Sequence, residues 1–224
     1  MGSPLNDSVE PIARQKPLLR GRLHQVMALV VVPAGVVLIG QARTGAVRLA
    51  VSIYALSLLA LYGTSAAYHR MNWSPKALRR MRALDHSMIF FLIGGTSTAF
   101  AALVLNGWLR VAFLAVVWAG ALTGIVFKLA RIDGYARLGG FLYIALGWVG
   151  VATVPQAINQ AEVVPLLLIA AGGLMYTIGA VVFYRRRPDP KPLVFGYHEV
   201  WHTFVVAATA CQYTAISMLL RTAS

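Results

Sequence analysis

His198-Glu199-Val200-Trp201-His202, running straight into the apolar stretch Thr203 to Leu220, decides how the chain is read. A spacing of four residues stacks two imidazoles on one face of a helix, one turn apart. The apolar continuation is long enough to carry that helix into a bilayer. Two stacked histidines at the mouth of a membrane helix are costly unless something binds them. A metal ion is the natural candidate, and zinc is the commonest partner of neutral imidazole.

Composition places this helix in a polytopic membrane protein. The 224 residues are 58% hydrophobic and only 12% charged, with a mean hydropathy of +0.69. A soluble domain carries about 25% charged residues. The net charge of +13 could point to nucleic acid. That reading is rejected, because the basic residues fall between apolar runs, as membrane topology requires. The single cysteine, Cys211, rules out an internal disulfide and reads as packing within an apolar helix. No signal peptide is evident, since residues 1–22 are polar and basic without an apolar core.

Working outward, residues 1–22 read as a polar, basic cytoplasmic tail, disordered over 1–20, with Pro4, Pro11 and Pro17. Residues 23–220 read as a bundle of seven transmembrane helices, an all-α fold. The expected spans are 23–41, 47–69, 84–105, 108–130, 138–156, 164–184 and 197–220. Each is close to the roughly 20 residues that cross a bilayer. No connection is long enough for a separate soluble domain. Sixteen Lys and Arg lie on the side of the tail, against Arg43, Arg48, Arg110 and Arg221 on the other. The positive-inside rule then predicts a cytoplasmic N-terminus and an external C-terminus.

Rare polar residues fall at one depth on that topology. His69 ends the second span, Asp85 begins the third, and His198 and His202 begin the seventh, all at the cytoplasmic end. Ser65 lies one turn before His69, and Tyr62 continues the face. His198, His202, Thr209, Gln212 and Tyr213 share a stripe of about 100°, the kind that faces a bundle interior. Blander readings exist for each group. Asp85 could cap the third helix or pair with Arg79, Arg80 or Arg82. Ser65 could bond the carbonyl of Leu61. His86 and His24 could be interfacial, or His24 could stand behind the ligands. Gly94-Gly95, Gly172-Gly173 and Gly120-x-x-x-Gly124 read as close helix contacts. His198-Glu199-x-x-His202 also matches the metalloprotease pattern with Glu199 as base, with Asp133-Gly134 as a loose fit to a distant aspartate. That reading leaves His69 unused.

Ser65-Ala66-Ala67-Tyr68-His69, Leu84-Asp85-His86-Ser87-Met88-Ile89, Gly95-Thr96 and His198-x-x-x-His202 together resemble the hemolysin III branch of the progestin and adiponectin receptor family. Tyr143 with Gly147-Trp148, and Gly172-Gly173-x-x-Tyr176-Thr177-x-Gly179, are similar to further signatures of that family. Glu199 stands where a small apolar residue is usual. The resemblance implies a bacterial plasma-membrane protein with a zinc ion on the cytoplasmic side. It implies His69, His198 and His202 as ligands, with Asp85 and Ser65 beside a zinc-bound water. Three histidines leave one tetrahedral position open, as in catalytic zinc sites. The expected chemistry is hydrolysis of a lipid amide or ester, with Asp85 as base and Ser65 bonding the water or the oxyanion. The expected partners are membrane lipids and a lipid-like substrate, not nucleic acid. The alternative is a receptor, sensor or pore with a structural zinc. A pore would need a homo-oligomer, since no helix carries a continuous polar stripe.

Overall fold

The computed structural model describes residues 16–130 and 136–222, the side chains of 136–139 excepted. Its helices are α1 (Arg22–Gln41), α2 (Gly45–Arg70), α3 (Pro75–Val104), α4 (Gly107–Ala130), α5 (Ala136–Trp148), α6 (Val154–Gln160), α7 (Val163–Arg185) and α8 (Tyr197–Thr222). A 3₁₀ segment, Val149–Thr153, joins α5 to α6. Among the described residues, seven helical stretches are long and apolar enough to cross a membrane, with Gly140–Gln160 counting as one across that join.

Local chemistry sets the helix ends. Thr44 caps α2 by accepting from the Val47 N–H at 3.3 Å. Ser74 caps α3 through the Ala77 N–H at 3.4 Å, with Pro75 in the first turn. The α3–α4 connection turns at Gly107, whose φ of +57° favours glycine. Gln156 accepts from the Asn106 N–H there at 2.9 Å, and Arg110 reaches the Leu105 carbonyl.

The start of α3 differs from the expected span. The helix begins at Pro75, so Asp85 lies about 15 Å along it rather than at its mouth. A hydropathy reading takes Lys76, Arg79, Arg80 and Arg82 for a loop, but charge does not break a helix that is properly capped. Ser74 is the cap, so Asp85 has no N-capping role.

α7 packs along α8, α2 along α3, α1 against α2, and α3 against α4; α8 also touches α1 and α3. The main core holds Leu38, Tyr54, Leu58, Tyr62 and Ile216, each essentially without solvent contact, and a smaller cluster gathers Phe90, Ala121 and Leu146. The outer faces carry large apolar side chains such as Leu29, Val36, Leu49, Val111 and Leu167, all mostly exposed. Such a belt, which no soluble monomer presents, suits lipid. Gly95 meets Ser57 and Gly124 meets Phe90 so closely that no methyl group would fit. Gly173, expected to do the same, has open space around it.

Candidate metal centre

His69 is the penultimate residue of α2, and His198 and His202 lie in the first two turns of α8. The packing of α1, α2 and α8 brings these ends together. One nitrogen from each of His69, His198 and His202 can be chosen so that all three lie within 4.8 Å of one another. His69 and His202 are 7% and 3% exposed, and His198 is half-buried. Phe183 of α7 stands edge-on to His198, with ring centroids 5.3 Å apart.

The donor set suits a soft-to-borderline cation. The Nε2 atoms of His69 and His198 are 3.2 Å apart. Two imidazole nitrogens on a tetrahedral zinc stand about 3.3 Å apart, given Zn–N of about 2.0–2.1 Å. Among the described residues this His triad is the cluster that could hold a metal.

Asp85 stands beside the cluster rather than in it. Ser65, buried on the His69 face of α2, lies close to it. Oδ2 of Asp85 is 3.9 Å from Nδ1 of His86. That Nδ1 donates to the Arg82 carbonyl at 2.7 Å, so His86 serves its own helix. Tyr143 of α5 donates to the His86 carbonyl at 3.4 Å, and its ring lies 5.7 Å from the buried Lys128 ammonium. Among the described residues Ser65 shows no hydrogen bond to the Leu61 carbonyl, and the Asp85 carboxylate is the polar group beside it. Asp133 and Gly134, the distant pair of the metalloprotease reading, lie outside the described residues.

The Glu199 carboxylate is taken up by partners other than the histidines. Its Oε2 accepts from the Gly196 N–H at 2.8 Å, the return half of a capping box at the start of α8. Its Oε1 pairs with Nε of Arg20. The segment before α1 is thereby tied to α8, and Leu18 and Leu19 donate to the Leu193 and Val194 carbonyls at 2.9 and 3.1 Å. The first described residues, at the edge of the presumed tail, thus dock on the α7–α8 connection. A Glu held by a backbone N–H and a guanidinium is poorly placed to act as a general base for the histidine site.

Of the two places expected for His24, at the interface or behind the histidine cluster, burial excludes the first. It is 3% exposed, and its ring lies flat on that of His202, with centroids 3.6 Å apart and planes 6° apart. Gly21, at φ +75°, lets the chain pass directly over His69 before α1 begins. Deeper in the bundle Tyr62 donates to Thr209 at 2.8 Å, and Tyr176 lies 3.1 Å from the same hydroxyl. Thr209 lies on the polar stripe of α8, which thus faces inward as its periodicity indicates. Tyr213, on that stripe, donates to the Ala34 carbonyl of α1 at 3.0 Å.

Fold and cluster together define a seven-helix membrane protein with a histidine-lined site at one end of its bundle. The chain belongs to the haemolysin-III related family, whose model matches residues 12–213. It is 31% identical over 196 residues to Hemolysin-3 of Bacillus cereus, covering 86% of each chain. It is 32% identical over 165 residues to the Hemolysin-3 homolog of Bacillus subtilis, covering 74% of each. The human monocyte to macrophage differentiation factor is 27% identical over 168 residues, covering 73% of this chain and 67% of that one. This match supports the wider relation to the progestin and adiponectin receptor family. The apolar helices and the bacterial relatives fit an integral protein of a bacterial membrane.

Proposed function

We propose that the chain is a zinc-dependent hydrolase of a lipid amide or ester, with His69, His198 and His202 holding the ion and Asp85 handling the proton. The observation that carries this reading is the pairing of a three-imidazole cluster with a separate carboxylate–hydroxyl pair, Asp85 and Ser65. A purely structural site has no need of the second pair. When bound, zinc would supply a Lewis acid able to polarise a carbonyl and acidify water. Asp85 would take the proton of the attacking water at a carboxylate oxygen and pass it to the departing amine or alkoxide. Ser65, beside it, would help fix the direction of that carboxylate. Donating to the water or the oxyanion is the other role expected for it. Entry from the bilayer, between helices, suits a substrate with acyl chains. The charge asymmetry favours a cytoplasmic N-terminus, which puts the site in the inner leaflet.

A second reading gives the ion a structural role, joining α2 to α8 in a pore or sensor. Its support is the position of the triad where helix ends meet, and the haemolysin names carried by the bacterial relatives. The metalloprotease reading is weakened by the partners of Glu199.

The test is zinc per chain and hydrolysis of lipid amides and esters in detergent. It compares wild type, His69→Ala, His202→Ala and Asp85→Asn. Either histidine variant should lose most of its zinc. Asp85→Asn should keep zinc and lose about a hundredfold or more in turnover. Full zinc in a histidine variant would remove the ligand assignment. Zinc-loaded wild type with no turnover, but conductance in liposomes, would favour the second reading.

A further inference from the structure

We infer that His24 is a substrate-binding residue of the same site, donating a ring N–H to the carbonyl oxygen that takes the position left open by His69, His198 and His202. The inference rests on the zinc reading above.

Its starting point is an unsatisfied group. Both ring nitrogens of His24 are buried without a hydrogen-bond partner among the described residues. A neutral imidazole always carries one N–H and one lone pair, and leaving them buried and unpaired is costly. The ring is too buried for the interfacial role that its place in the first turn of α1 suggests. Packing alone does not account for a histidine here. One face covers His202, and Tyr62 stands edge-on at 4.9 Å, a niche that a phenyl ring would fill with no polar atom to satisfy.

The stacking geometry separates a binding role from a ligand role. A ligating nitrogen directs its lone pair within its ring plane and stands about 2.0–2.1 Å from zinc. An ion held by His202 would stand near the plane of that ring, whereas the His24 ring is stacked parallel to it with centroids 3.6 Å apart. The lone pairs of His24 run alongside that ion and do not point at it. A hydrogen bond of about 2.7–3.2 Å is a better match to the gap. An oxygen at the open position, leaning toward α1, comes within reach. The substrate class that fits is one with a carbonyl flanked by acyl chain, an amide or ester.

The experiment loads wild type, His24→Phe and His24→Asn with cobalt(II) in detergent. Affinity for acetohydroxamate, a carbonyl-bearing probe, is read from the visible d–d absorption, and metal per chain is measured alongside. Both variants should keep a full complement of metal. His24→Phe, which preserves the flat ring, should bind the probe about tenfold or more weakly, the scale of one lost hydrogen bond. His24→Asn, which restores a donor, should recover part of the loss. Unchanged probe affinity in His24→Phe would reduce His24 to packing and overturn the inference. Metal loss in both variants as deep as in His202→Ala would make it a ligand and overturn it equally. Wild type that takes up no metal would overturn the triad reading, and this inference with it.

Discussion

Replacing Gly21 with alanine tests whether the segment before α1 positions the histidines. Two independent costs follow from the structure. At φ +75° an alanine sits in the left-handed region, at about 1–2 kcal/mol. Its Cβ would stand 2.5 Å from Cβ of His69, where ordinary contact needs roughly another ångström. Overpacking of that order costs about 1–3 kcal/mol. The total is about 2–5 kcal/mol, or a fall in melting temperature of about 5–15 °C for a chain of this size. Relief of the clash moves His69 or lifts α1, and either disturbs the ligand set. Metal affinity should then fall about tenfold or more, the usual effect of losing a supporting contact. The assay is thermal melting in detergent with and without chelator, and competition for zinc against a chromophoric chelator. Gly40→Ala is the control, since a Cβ there meets nothing within 4 Å; it should be neutral or slightly stabilising. A Gly21→Ala protein that melts and binds metal as wild type does would refute this account of the docked segment.

Glu199→Gln should keep metal and most turnover, because the side chain can still accept from Gly196 while losing its ion pair with Arg20. Melting should fall by an amount equivalent to about 1–3 kcal/mol, and Arg20→Ala added to it should cost little more; abolished turnover with zinc retained would return the metalloprotease reading. Reporter fusions should read external after Ser224 and cytoplasmic after Arg187; a cytoplasmic C-terminus would move the site to the opposite leaflet.

The seven apolar stretches and the gathering of His69, His198 and His202 at one bundle end were legible in the sequence by itself. Both are local properties: span length follows from runs of apolar residues, and the shared face of His198 and His202 follows from a spacing of four. The end at which each residue lies follows from counting crossings. What a one-dimensional pattern leaves open is how each helix is rotated and which helices become neighbours. Those depend on side-chain packing across the bundle, and they decided the rest. Hydropathy ended α3 at its charges, while the Ser74 cap carries the helix outward and puts Asp85 well inside it, next to Ser65. Glu199 lies beside the ligand pair in sequence, and only the packing of the segment before α1 and the start of α8 shows that its carboxylate goes to Gly196 and Arg20. His24 carries no periodic signal at all. Only the crossing of α1 over α2 and α8 lays it on His202 and seals its nitrogens from solvent.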